Sequence, residues 1–119
     1  MSRQVDSFLP LKNDALLVML AVANEPRHGY GIIRDVETRS DGEIILQTGA
    51  LYRWIKRLLA DGLIDEIAEP ADADSSDERR RYYTLTPLGH AVLNAEVERM
   101  AKLVRIARLT VAGKRPRLA

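Results

Sequence analysis

The sequence contains no cysteine, and this absence excludes several kinds of chemistry at once. Disulfide bonds, thiolate ligands for a metal ion and cysteine nucleophiles are all ruled out. Histidine is scarce as well, and neither His28 nor His90 lies in a sequence cluster of carboxylates with a second histidine. We therefore expect no metal site and no catalytic residues of the Ser-His-Asp type.

Long hydrophobic runs are also missing. The longest apolar run, Ala15 to Ala23, is well short of the roughly 17–25 residues of a membrane-spanning helix. The first residues have no apolar signal core, and the glycines do not form a phosphate-binding loop. These observations favour a cytoplasmic, single-domain protein that is not an enzyme, has no cofactor and does not enter a membrane.

The charges are balanced overall but separated along the chain. The 119 residues include 18 lysines and arginines against 17 acids, with 46% hydrophobic residues, as in a folded domain. All charges from Leu63 to Glu78 are acidic, whereas Arg79–Arg81 and every charge after Glu98 are basic. Such blocks can produce a local basic surface that a net charge of +1 conceals.

Helix-breaking residues and hydrophobic periodicity predict three short helices in the first part of the chain. The first is apolar almost all round and is therefore expected to be buried. Thr48 is a candidate N-cap of the third helix, and Gly62 is the left-handed residue expected after its end. The three helices are expected at about residues 13–23, 28–40 and 47–60.

A hairpin and a long helix complete the predicted order. Leu63–Ala68 and Arg79–Leu85 have the composition of two strands around a polar, acidic loop. Thr86 and Pro87 then open a helix that continues to about Ala112. Three short helices followed by a hairpin are typical of a winged helix-turn-helix, whose third helix lies in the DNA major groove. The predicted fold class is mainly α with a small β-hairpin and a long C-terminal helix.

The long helix has apolar residues at alternating spacings of four and three. A protruding helix cannot bury such a heptad seam alone, so the spacing predicts a homodimer. The expected organisation is a DNA-binding domain at residues 1–86, a dimerisation helix at 87–112 and a basic flexible tail at 113–119. The predicted seam consists of Leu93, Val97, Met100, Val104, Ala107 and Val111.

Three motifs resemble those of the PadR-type transcriptional regulators. Residues 26–32, PRHGYGI, are similar to the family signature P-x-H-G-Y-x-I. Residues 49–64 resemble its G-x-L-Y-x-x-L-x-R-L-x-x-x-G-L-I stretch, and residues 81–89 its R-x-Y-x-L-T-x-x-G junction. The resemblance covers about residues 15–93, and the single C-terminal helix is similar to that of the smaller branch of the family.

The resemblance implies a dimeric repressor of stress, efflux or detoxification genes, which in several members is released from DNA by a small aromatic ligand near the dimer interface. The sequence departs from the family pattern at Trp54, where a small residue is usual, in the acidic hairpin tip, and in the absence of aromatic residues from the long helix. We expect Trp54 to have a structural role; the alternative is that it forms the wall of a ligand pocket.

The third helix of a helix-turn-helix carries the predicted DNA contacts. Its N-terminal residues usually reach base edges, while later lysines and arginines hold phosphates. Base contacts are predicted for Gln47, Thr48 and Arg53, and backbone contacts for Tyr52, Lys56 and Arg57. Arg80 and Arg81 on the hairpin and, secondarily, Tyr30 are added as phosphate contacts. The alternatives are that the hairpin arginines neutralise the preceding acids and that Tyr30 only packs.

The expected partners are double-stranded DNA with an inverted-repeat operator, a second copy of the chain and a small aromatic effector. The acidic hairpin and the small net charge motivate a second hypothesis. In it, the chain is a winged-helix module that binds a protein or a small molecule without specific DNA binding.

Overall fold

The fold consists of five helices and three short strands in the part of the chain that a computed structural model describes, residues 3–69 and 81–113. The predicted fold class, mainly helical with a small antiparallel sheet and a long C-terminal helix, is confirmed. In chain order the elements are α1 (Arg3–Asp6), α2 (Asn13–Ala21), β1 (Arg27–His28), α3 (Gly29–Arg39), α4 (Thr48–Ala60), β2 (Ile64–Ile67), β3 (Tyr82–Leu85) and α5 (Pro87–Val111).

Several local predictions differ from the structure. The elements α1 and β1 were not predicted, because four and two residues are too few to show a hydrophobic period. Thr48 is the first residue of α4 and not its cap; Gln47 occupies the cap position and makes no side-chain capping hydrogen bond. The hairpin tip with Arg79 and Arg80, and the tail beyond residue 113, lie outside the described residues.

The sheet joins the hairpin to the start of α3. Its central strand, β3, pairs antiparallel with both neighbours, so that Tyr83 lies opposite Arg27 in β1 and Leu85 lies opposite Ile64 in β2. Because β1 runs directly into α3, this pairing holds the first turn of α3 beside the base of the hairpin.

The core is built around α2, as the uniformly apolar sequence of that helix predicts. Its side chains pack against α3, α4 and the first half of α5, so that most of the helix is buried and Leu20 is its one exposed large apolar side chain. The largest fully buried hydrophobic side chains of the core are Val18, Met19, Val22, Ile32, Leu51, Leu58, Leu63, Ile64 and Val92.

The long helix begins with a tight contact to the hairpin. The Thr86 hydroxyl accepts a hydrogen bond from the Gly89 N–H at 2.9 Å and donates one to the Gly62 carbonyl at 2.6 Å, so the predicted cap is confirmed. A Cβ atom at Gly89 would overlap the backbone carbonyl oxygen of Leu63. Glycine at this position therefore allows α5 to start directly against the end of the loop that follows α4.

A buried carboxylate fastens α5 to the segment that precedes α2. Glu96 is almost completely buried and accepts hydrogen bonds from the Leu11 N–H at 3.0 Å and from the Arg99 guanidinium at 2.6 and 3.0 Å. The hydrogen bonds from Arg99 lower the pKa of Glu96, burial opposes them, and the Leu11 N–H lowers the pKa further. The ionised form is therefore the one that the fold stabilises.

We expect Glu96→Gln to lower the free energy of unfolding at neutral pH by about 1–3 kcal/mol, because the buried ion pair with Arg99 is lost. The pKa of Glu96 is lower in the folded chain than the ordinary value of 4.5. The part of the free energy of unfolding that ionised Glu96 contributes is thus present above pH 4.5, and it disappears as the pH falls through the folded-state pKa.

Urea unfolding between about pH 7 and pH 3 measures this difference. The matched control is Glu98→Gln, which changes an exposed glutamate of the same helix. Stability curves of wild type and Glu96→Gln that remain parallel throughout this range would contradict the assigned role.

Candidate nucleic-acid interface

The exposed face of α4 is basic and contains no acidic residue. The helix buries Leu51, Ile55 and Leu58 against the core, and the whole segment Thr48–Ala60 lacks aspartate and glutamate. All six predicted contact residues in this region lie exposed along one side: Gln47, Thr48, Tyr52, Arg53, Lys56 and Arg57.

The three basic residues of this face differ in their ion pairs. Arg57 pairs with Asp61 one turn later at 3.3 Å, and both side chains are open to solvent, so the pair is weak. Arg53 and Lys56 make no salt bridge with any described residue. These two side chains therefore retain an unneutralised positive charge at the surface.

Tyr52 links α4 to the start of α3. The hydroxyl and ring of Tyr52 lie so close to Gly29 that a Cβ atom at position 29 would overlap them. The tyrosine side chain is nevertheless half exposed. The basic face of α4 therefore adjoins the first turn of α3, and the Tyr52 side chain lies between them.

The first turn of α3 is held by His28. The Nδ1 atom of His28 accepts a hydrogen bond from the Gly31 N–H at 3.0 Å, so this residue is the N-cap of α3. The imidazole stacks on Tyr30 with the ring planes 3° apart, and Tyr82 of the sheet contacts it edge-on. Tyr30 is 62% exposed and lies next to the contact with Tyr52.

The base of the hairpin contributes one described arginine. Arg81 is exposed and lies 3.9 Å from the Glu66 carboxylate, at the outer limit of an ion pair. Burial raises the pKa of the nearby Tyr83 phenol, and the charge of Glu66 adds to this effect. Arg80, the other predicted hairpin contact, lies outside the described residues.

The predicted seam of α5 divides into a buried and an exposed part. Leu93 is only 6% exposed and belongs to the core of its own chain, so its side chain is not available to a partner. The other five residues of the seam, Val97, Met100, Val104, Ala107 and Val111, are exposed. Val97, Met100 and Val104 also line an apolar groove of about 460 Å³ with Leu16 and Leu20 of α2.

Trp54 lies at a second groove, on the side of α4 that turns towards the N-terminal segment. It packs against the core and is partly exposed to a groove of about 540 Å³. The other residues that line this groove form the segment that leads into α2, Pro10–Asp14. The structural role and the pocket-wall role of Trp54 are therefore compatible.

In residues 3–69 and 81–113, nowhere do three or more histidine, aspartate or glutamate side chains gather as they would around a metal ion. No helix within these ranges combines the length and the apolar character needed to cross a membrane.

One residue of this surface was missed in the sequence. Arg34 of α3 places its guanidinium 5.7 Å from the centre of the Tyr30 ring. Tyr30 and Arg34 are four residues apart, and this spacing brings side chains together on a helix, so the sequence did contain a signal for their contact.

The family model "Transcriptional regulator PadR-like family" matches residues 16–95. The chain is 37% identical over 92 residues to a 37.1 kDa transposon protein of Streptomyces fradiae. The matched region is 76% of this chain but 24% of that relative, so the chain spans about a quarter of its length.

Solved structures share the fold. A PadR family transcription regulator from Clostridium difficile superposes with a TM-score of 0.70 at 23% identity, over 84% of this chain and 99% of that one. Bacillus subtilis PadR in complex with operator DNA gives a TM-score of 0.62 at 17% identity, over 82% of this chain and 60% of that one. At these identities the similarity is one of fold.

Proposed function

The chain belongs to the PadR-like family of transcriptional regulators, and from this we propose that it is a homodimeric repressor that binds operator DNA through α4. Members of the family regulate transcription and are not enzymes. The observation that carries the proposal is the exposed face of α4, which is basic and has no acid. In the helix-turn-helix that α3 and α4 form, α4 is the second helix, and it corresponds to the third helix predicted from the sequence. The complex of Bacillus subtilis PadR with operator DNA adds support.

Within this face we assign different roles to two sets of side chains. Gln47, Thr48 and Arg53 read bases, and Arg53 in a bidentate contact with guanine would contribute about 1–3 kcal/mol of discrimination. Tyr52, Lys56 and Arg57 hold phosphates, and Arg81 adds a contact at the hairpin. In a dimer, two α4 helices would enter major grooves about 34–36 Å apart on an inverted repeat.

Lys56→Ala and Arg53→Ala should have different effects on DNA binding. We expect Lys56→Ala to weaken binding to all duplexes and to reduce the slope of log K against log salt by about 0.9, because one phosphate contact is lost. Arg53→Ala should weaken binding to the operator more than to random DNA, since it removes a base contact.

Fluorescence anisotropy with the duplex upstream of the chain's own gene and a random duplex measures both effects. Lys102→Ala, at an exposed position of α5, is the matched control and should leave the affinities unchanged. Equal losses on both duplexes for Arg53→Ala would contradict base reading. Wild-type affinity for the upstream duplex no tighter than for random DNA would instead favour the module that binds a protein or a small molecule.

The second half of α5 supports the proposed dimer. Beyond Arg99, every described residue of the helix is exposed. At 100° per residue, the apolar side chains of this half cover more than half of its circumference, which is wider than a single heptad seam. The exposed large apolar residues are Met100, Leu103, Val104, Ile106, Leu109 and Val111.

This width favours two contacts with the partner chain. One side of the helix would pack against the α5 helix of the second copy. The other side would enter the apolar groove between α2 and α5 of that second copy. The groove has the required character, because Leu16, Leu20 and Met100 line it and Leu20 and Met100 are themselves exposed. The first half of α5 stays in the core of its own chain, so residues 87–112 would connect the two DNA-binding domains.

A charge placed in this surface should dissociate the dimer. We expect Val104→Glu to shift the chain to a monomer at micromolar concentration, because burying an unpaired carboxylate is unfavourable. Sedimentation equilibrium measures the shift, and the helical circular dichroism spectrum verifies folding. The matched control, Asn94→Glu, introduces the same side chain at an exposed position of α5 outside this apolar surface and should remain dimeric. A wild-type chain that sediments as a monomer would contradict the proposal.

We place a small aromatic effector in the groove beside Trp54. The groove has the volume of a small-molecule site, and Trp54 belongs to α4, so a ligand in contact with it would act directly on the helix that carries the DNA contacts. A flat ring can stack on the indole, and Lys12 and Asp14 at the rim provide charges of both signs.

Binding at this groove should change the fluorescence of the single tryptophan. We expect titration with benzoate, phenol or indole to give a saturable change with at least one compound, and the same compound to alter the affinity for the upstream duplex. N-acetyltryptophanamide corrects for non-specific quenching. If every one of these compounds changes the Trp54 fluorescence no more than it changes that of N-acetyltryptophanamide, this site is contradicted.

A further inference from the structure

The exposed aromatic ring of Tyr30, in the first turn of α3, packs against the imidazole of His28. Tyr30 stacks on His28 at a centroid distance of 6.5 Å, and His28 is contacted at 5.3 Å by Tyr82, which is buried in the sheet. The Gly31 N–H fixes the imidazole through its Nδ1 atom. Although most of the Tyr30 ring faces solvent, one side of it therefore packs against an imidazole that Tyr82 and the Gly31 N–H hold in place.

Arg34 lies over this ring with its charge unneutralised. Its guanidinium is 5.7 Å from the Tyr30 centroid, and it forms no salt bridge with any residue in the described ranges. Asp35 is the adjacent acid, and it is already paired with Arg27 at 3.2 Å and with Arg39 at 2.9 Å. The contact with the ring orients Arg34 but leaves its N–H donors free for a ligand.

The pair adjoins the face of α4. Tyr30 directly follows Gly29, the residue against which the Tyr52 hydroxyl packs. The surface thus runs from Lys56 and Tyr52 on α4 to Tyr30 and then to Arg34 on α3. The first helix of a helix-turn-helix crosses the DNA backbone, so a cation on this part of α3 would meet phosphates and not base edges.

From this juxtaposition we infer that Arg34 binds a backbone phosphate beside the bases that α4 reads, and that Tyr30 is the positioning residue that orients it. The inference rests on the proposed DNA binding through α4. The exposed carboxylate of Glu37 lies one turn beyond Arg34 on the same helix and would repel the same phosphate. Substitutions at these two positions should therefore have opposite effects.

The test uses the full chain, with anisotropy on the upstream and random duplexes at several salt concentrations. We expect Arg34→Gln to weaken binding about three- to tenfold on both duplexes and to reduce the salt slope by about 0.9, as for the loss of one phosphate contact. Arg34→Lys, which keeps the charge, should retain the slope. Glu37→Gln should tighten binding to both duplexes.

The role of Tyr30 is tested by a double-mutant cycle. Tyr30→Leu should weaken binding in the wild-type background but have little further effect in the Arg34→Gln background, because the ring acts through the arginine. Arg39→Gln is the matched control: it removes a cation of the same helix that is paired with Asp35, and should leave the salt slope unchanged.

The outcomes separate this inference from the proposed function. If Lys56→Ala weakens binding while Arg34→Gln binds both duplexes as wild type does, the phosphate contact of Arg34 is refuted and DNA binding through α4 stands. Equal salt slopes for wild type and Arg34→Gln refute it as well. If the wild-type chain binds neither duplex, both the inference and the proposed function are refuted.

Discussion

The candidate surface is continuous because α3 and α4 meet at Gly29, where the side chain of Tyr52 packs. The Tyr52 hydroxyl occupies the space that a Cβ atom would take, so a larger residue at position 29 would displace the end of this side chain. His28 then caps α3, and the pairing of β1 with β3 holds that cap beside the hairpin. The start of α3, the exposed face of α4 and the base of the hairpin consequently lie side by side.

The distribution of charge gives this surface its character. Two of the acids near it are engaged in ion pairs: Asp35 is paired with two arginines, and Asp61 is paired with Arg57 at the end of α4. The buried carboxylate of Glu96 has a different task, since it fastens α5 to the N-terminal segment at the point where the core ends. Beyond Arg99 every described residue of the helix is exposed, and this exposed half is the part of α5 that we propose connects two copies of the chain.

Much of the fold was predictable because its signals are local. The starts of α3 and α5 follow from a histidine and a threonine in cap positions, and the end of α4 follows from Gly62, whose φ is +76°. The predictions that failed concern short or tertiary features. The two residues of β1 form a strand only because β3 lies beside them, and Leu93 continues a heptad pattern in sequence although the core of its own chain already covers it.

Hydrophobic period, caps and motifs therefore specify which segments become helices, which face of α4 is polar, and the family to which the chain belongs. Contacts between segments decide the rest: the approach of Tyr52 to Gly29, the pairing of Asp35 with Arg27 and Arg39, and the burial of Glu96 against Leu11. The physical reason is that propensity and capping act within a turn or two of one element. Burial and ion pairing depend on which residues the folded chain brings together across the sequence.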